Sequence, residues 1–169
     1  MFDQVLGLPM HILVLHAVVV LGPIAAISAI AYSVRPTWRW YLKWPTLMLA
    51  VIAGIAAFVT GQSGEALQQQ MIANGAAGEL LQNINDHAQA GKVAAALGIA
   101  FMVVTIAAVW FVLPAGPHPG QSEAKSGLRL NPVVRQVTAG LTIAVAIALI
   151  VAIALAGHLG ATAAWDGVF

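Results

Sequence analysis

Four uninterrupted apolar runs dominate this chain, and they leave it little choice but a set of helices in a bilayer. They extend roughly over Met10 to Val34, Trp44 to Gly61, Lys92 to Leu113 and Gln136 to Gly157. A hydrocarbon core about 30 Å thick is crossed by about 20 helical residues, so each run is long enough to span it. Barrel strands would alternate apolar and polar residues over about ten positions, and these runs do not. Lipid supplies no partner for a free backbone N–H or C=O, which leaves helices. Only Pro23 falls deep inside a run; it removes one backbone bond and is expected to kink the first helix, which membrane helices tolerate. Charge points the same way. Only 8% of the 169 residues are charged, against about a quarter in a soluble domain, too few to cover a surface facing water. The expected fold is an all-α integral membrane protein, a four-transmembrane-helix bundle, with residues 1–169 as a single membrane domain.

Lysine and arginine set the expected orientation. The first connection holds Arg35, Arg39 and Lys43, and the third holds Lys125 and Arg129 with Arg135 at its end. The second is acidic, with Glu65, Glu79 and Asp86 and only Lys92 at its edge, while Asp3 and Asp166 mark the termini. The positive-inside rule then places both termini and the 62–90 loop on the outer side of a bacterial cytoplasmic membrane. Trp38, Trp40, Trp44 and Trp110 fall near the inner interface and Trp165 near the outer one, as an aromatic belt would. No cleavable signal peptide is expected, because the N-terminus lacks a basic region and the first run is too long. The absence of cysteine excludes disulfides, iron–sulfur clusters and thiol nucleophiles. A net charge of +1 gives no argument for nucleic acid, and the cytoplasmic cations suit anionic lipid headgroups.

Outside the spans, "SGEALQQQMIANG" reads as a short helix from near Ser63, stopped by Asn74-Gly75. "AGELLQNINDHAQAG" places Leu80, Leu81, Ile84 and Ala88 on one face, suiting a helix on the membrane surface or one running into the third span. The inner loop 114–135 is rich in Pro, Gly and Ser and is expected to be flexible. A short internal repeat is visible as well. The second span leaves the membrane as "TGQSGEA" and the fourth as "AGHLGAT", sharing G-x-x-G and matching Gln62 with His158. Two helical hairpins related by an axis along the membrane normal would produce this; chance similarity between alanine-rich segments is the other reading.

Four of the five histidines gather toward one side. His11 lies near the outer end of the first span and His16 about 8 Å deeper, His87 just above the third, and His158 at the mouth of the fourth. His118 sits in the inner loop and reads as solvated. An amphipathic imidazole is tolerated at an interface, which accounts for His11 and His87. His16, placed in hydrocarbon, needs a partner, and a bond to Thr60 or Gln62 on a neighbouring helix would provide one. The sharper reading is a b-type haem, which takes two imidazoles from facing helices at similar depth. His16 with His158, or His87 with His158, would be level; His11 and His16, about 140° apart on one helix, cannot share an iron, and His11 is the weaker candidate. His87, Gly91, Ala95 and Gly98 line one side of the third span as a surface for a macrocycle, although small residues also serve ordinary helix packing. A zinc or copper site from His11, His87, His158 and Glu65 would suit those metals, without the tight spacing of a metal motif. No catalytic triad or phosphate loop is present. The span threonines Thr46, Thr105, Thr138 and Thr142 can bond to their own helices.

With "LPMHILVLHAVVVLGPI", Thr60-Gly61, "NDHAQAG" and "GHLGATAAW", the chain resembles, over nearly its whole length, the bacterial membrane family called domain of unknown function 2231. The resemblance implies a paired-histidine first helix, a T-G closing the second, a His entering the third and a G-H-x-G-A close to the fourth. Ile12 stands where many relatives carry proline, and the helix proline is delayed to Pro23. A layout with histidines at the outer end is similar to small b-type cytochromes by analogy of fold. Two functional readings follow. In one, the chain is a non-catalytic accessory or scaffold subunit packing against a larger membrane complex, such as a respiratory one, a reading favoured by its small size and small-residue helix faces. In the other, it is a small membrane electron carrier with a b haem held by His158 and either His16 or His87.

Overall fold

The computed structural model describes residues 4–5, 8–115 and 131–165. A two-residue antiparallel pair, Gln4–Val5 with Leu8–Pro9, precedes the first helix. Then come α1 (Met10–Val34), a 3-10 turn (Pro36–Trp38), α2 (Arg39–Ala73), α3 (Gly78–Ala107) closing in a π turn (Ala108–Val112), and α4 (Pro132–Trp165). Each of the four is long and apolar enough to cross a membrane. Asp3, His118, Lys125, Arg129, Asp166 and most of the expected inner loop lie outside the described residues.

The helices run well past the expected spans. α2 continues through Ser63 to Ala73, and α3 begins at Gly78, so the helix read from Ser63 is the end of α2, and the one read over 77–91 runs into the third span and is not a separate surface helix. The Asn74-Gly75 stop is real. Gly75 takes φ +92, its N–H bonds to the Ile72 carbonyl at 3.0 Å, and the Ala76 N–H reaches Met71 at 3.1 Å; this crossed pair ends a helix where glycine can adopt the left-handed conformation. Gln68 Nε2 donates to Asn85 Oδ1 at 2.8 Å across the hairpin. α4 starts four residues before the expected span, because Asn131 Oδ1 accepts the Val133 N–H at 2.9 Å and Pro132 costs nothing at a first helical position. α1 remains one helix through Pro23.

Packing is a ring: α1 against α2 and α4, and α3 against α2 and α4. α1 and α3 therefore face each other diagonally. The centre is built of alanine, including Ala25, Ala26, Ala29, Ala50, Ala53, Ala57 and Ala146, around Phe101 and Leu149. Large apolar side chains such as Ile27, Met48, Val103, Val137 and Leu155 point outward, where lipid covers them. Glycines let the backbones close up: a Cβ at Gly98 would fall 2.5 Å from Ala57 Cβ, at Gly54 2.6 Å from Met102 Cβ, and at Gly22 2.5 Å from the end of Ile153. Lipid gives two helices no hydrophobic reason to associate, so this contact is what holds them. Ser28 and Thr46 share a hydroxyl–hydroxyl bond of 2.7 Å between α1 and α2, so Thr46 does not bond to its own helix as expected. Thr142 does, to Thr138 at 2.8 Å.

At the end where α1 meets α2, Arg39 is buried and offers its guanidinium to the last carbonyls of α1, Nε to Tyr32 at 3.0 Å and Nη2 to Ser33 at 3.1 Å. Those carbonyls have no partner within the helix. Tyr32 in turn donates its hydroxyl to the Leu113 carbonyl at 2.6 Å, closing the π turn. We expect Gly98→Ala to destabilise the bundle by about 1–3 kcal/mol through overpacking. Gly140→Ala, where a Cβ meets nothing within 4 Å, should leave it unchanged or stabler. Reversible unfolding in mixed micelles checks this, and a Gly98→Ala protein as stable as the parent would refute the close α2–α3 approach.

Candidate functional site

Two of the four clustered histidines meet, half-buried, at one end of the bundle, and they are not a pair favoured by the sequence. His11, in the first turn of α1, approaches His87 of α3 across the diagonal, with ring centroids 6.1 Å apart and planes at 77°. Each imidazole is fixed by a backbone carbonyl of the helix that follows it in the chain. His11 Nδ1 is 3.0 Å from the Thr60 carbonyl on α2, and His87 Nδ1 is 3.0 Å from the Ala156 carbonyl on α4. A carbonyl only accepts, so both Nδ1 atoms carry the proton. In the neutral ring the lone pair then rests on Nε2, which has no hydrogen-bond partner among the described residues on either ring.

The repeated G-x-x-G explains how the rings get there. A helical carbonyl already accepts the N–H four residues on, and its second lone pair is normally shielded by that residue's side chain. Four residues after Thr60 stands Gly64; four after Ala156 stands Gly160. A Cβ at Gly64 would lie 3.0 Å from His11 Cε1, and one at Gly160 only 2.8 Å from His87 Cε1. The second glycine of each motif thus makes the berth for one ring. The α1–α2 and α3–α4 hairpins repeat the same device, histidine to carbonyl to glycine. Beside it, Thr60 Oγ1 is buried without a hydrogen-bond partner. Glu65 and Lys92 join α2 to α3 at 3.4 Å, both about half exposed, an ion pair that contributes little to stability.

His16 and His158 are placed elsewhere. His16 lies on the exposed side of α1 and donates to its own helix, Nδ1 to the Ile12 carbonyl at 2.6 Å; neither Thr60 nor Gln62 is its partner. The reason is the helical offset from His11, which turns it away from the bundle. His158 is exposed on α4, next to the residue whose carbonyl holds His87 but not joined to it. Of the set His11, His87, His158 and Glu65, the structure brings only two together. Among the described residues no three His, Cys, Asp or Glu side chains gather to hold a metal ion. The glycine stripe of α3 is largely occupied: Gly98 meets Ala57, and Ala95 lies 3.1 Å from a Cβ at Gly61. Gly91 and Gly157 meet nothing within 4 Å. The sequence signal that sets His11 above the weaker place its depth gives it is the pair of glycines four residues after Thr60 and Ala156.

Fold and site define a small polytopic membrane protein whose two hairpins each contribute a backbone-anchored imidazole to one end of a four-helix bundle. The chain belongs to the family described as "Predicted membrane protein (DUF2231)", whose model matches residues 7–168. No curated protein and no solved structure matches it.

Because His16 bonds only within α1, His16→Ala should shift stability by less than about 0.5 kcal/mol. His11→Ala, which breaks a bond between helices, should cost about 1 kcal/mol. Melting midpoints in detergent distinguish the two, and a larger loss for His16→Ala would contradict its outward position.

Proposed function

We propose that this protein is a small b-type haem-binding membrane electron carrier, with His11 and His87 as the axial ligands. The observation that carries the reading is the imidazole pair itself. The two rings stand with centroids 6.1 Å apart and planes at 77°, neither Nε2 is taken by a hydrogen bond among the described residues, and His11 and His87 would hold the haem between them. Each ring is locked by its Nδ1–H bond to a carbonyl, the outer-shell contact that fixes the tautomer of metal-bound histidine and raises its basicity. Ligand count favours a porphyrin over a bare ion. A closed zinc site takes four protein ligands, and the described residues gather two, whereas a porphyrin brings its own nitrogens and leaves two axial positions to the protein.

His11 and His87 would hold the haem, and the unpartnered Thr60 hydroxyl and the open surfaces of Gly91 and Gly157 lie on the helices beside it. A haem there supplies one-electron exchange. The chain's own part is to present two Nε2 atoms, to keep their rings from turning, and to hold them half-buried between helices, which tunes the potential. The positive-inside rule supports placing this end outward in a bacterial cytoplasmic membrane, since Arg35, Arg39, Lys43 and Arg135 are at the opposite end.

The accessory-subunit reading rests on small size and on small-residue helix faces, several of which (Gly22, Gly54, Gly98) serve packing within the bundle, and it gives no account of two histidines drawn to one point by two glycine motifs. Accordingly, protein purified in mild detergent from haem-replete cells should show haem bands in a reduced-minus-oxidised spectrum at near one haem per chain. His11→Ala and His87→Ala should each abolish them, and His16→Ala and His158→Ala should keep them. A flat wild-type spectrum, or full haem in His11→Ala, would refute the assignment, and a polypeptide co-purifying with haem-free protein would restore the accessory reading.

A further inference from the structure

The end of the bundle opposite the histidines carries a second feature, independent of any haem. An apolar groove of about 380 Å³ runs between α2 and α3, lined by Met48, Val51, Ile52 and Ile106 together with Trp44 and Trp110. The two indoles meet edge to face at 6.0 Å. Lys43 lies against both, its Nζ 4.6 Å from the Trp110 ring centre and 5.5 Å from that of Trp44. The π turn at 108–112 contains Trp110, and an extra residue per turn is a common way for a helix to re-aim a side chain at a functional position.

The charges around the groove, among the described residues, have one sign. Among the described residues the acidic side chains are Glu65, Glu79 and Asp86, all on the hairpin at the histidine end. Arg35, Arg39, Lys43 and Arg135 collect at this one, where Arg39 and Arg135 are close enough to repel each other. Arg39 spends its guanidinium on the α1 carbonyls. Lys43 makes no ion pair among the described residues, and its ammonium has donors to spare. An apolar and aromatic groove beneath an interfacial cation suits a lipid with a negative head.

We propose that this groove holds one acyl chain of an anionic glycerophospholipid, with its phosphate on Lys43. Lipid tails fit a lining that has no polar demand, tryptophans mark the headgroup level, and a lysine near that level attracts an anionic lipid by about fivefold in affinity. The full chain, delipidated in a neutral detergent, is titrated with phosphatidylglycerol and with phosphatidylcholine of identical acyl chains, and bound lipid is counted by native mass spectrometry. Wild-type protein should retain phosphatidylglycerol about fivefold better. Lys43→Gln should remove that preference, Lys43→Arg should keep it, and Met48→Trp, which fills the groove, should reduce retention of both lipids. Equal retention of the two lipids by wild-type protein would overturn the proposal. So would a preference that survives Lys43→Gln, displacement of the lipid by inorganic phosphate alone, or a quinone or a polypeptide in the groove in place of phospholipid.

Discussion

Helices in lipid are held together by close contact and a few interhelical hydrogen bonds, because hydrocarbon tails are as apolar as the side chains they would replace. This bundle answers that constraint with small residues. Alanines fill its centre, and Gly22, Gly54 and Gly98 accept neighbours where no Cβ could stand. Apart from a few such as Phe101 and Leu149, bulky apolar side chains are turned outward, the reverse of a soluble core, since they gain nothing from facing one another. Polar groups then do specific jobs at fixed levels: the Ser28–Thr46 bond within the span region, and Arg39 and Tyr32 at the closed end.

The histidine site uses the same small residues for a different purpose. The missing side chains at Gly64 and Gly160 uncover a carbonyl that a helix normally hides, and an imidazole donates to it; at Thr60 the carbonyl also accepts from Ser63 Oγ at 3.2 Å. Because the device occurs once in each hairpin, two rings arrive at one place from diagonal helices. Each helix pair is therefore half of a site, and neither half places an imidazole against another without its counterpart. At the other end the uncovered carbonyls belong to a helix terminus and are met by an arginine. The two ends share one rule, that backbone oxygen in lipid must be engaged, and meet it with different side chains.

Much of this was legible in the residues. The four helices follow from uninterrupted apolar runs, the turn at Asn74-Gly75 from its two residues, and the G-x-x-G repeat from plain comparison of span ends. The lengths of the helices were less so, since "SGEALQQQ" and "GELLQNIN" are polar enough to read as loop yet pack on each other through Gln68 and Asn85. The roles of the histidines divided by geometry. His16 and His158 sit at plausible depths but on outward faces, whereas His11 sits at the helix start and faces in. The stripe of Gly91, Ala95 and Gly98 suggested a cofactor surface, but α2 packs on much of it.

Sequence by itself determined the solvent, the secondary structure and the number of spans, because hydrocarbon thickness and backbone hydrogen bonding act on each segment separately. It also recorded which carbonyls were exposed, as glycines at a four-residue offset. Only the tertiary structure decided which histidines meet. That choice depends on the rotation of each helix about its own axis, and rotation is set by which small residues let which neighbours approach, a property of helix pairs and not of any single run.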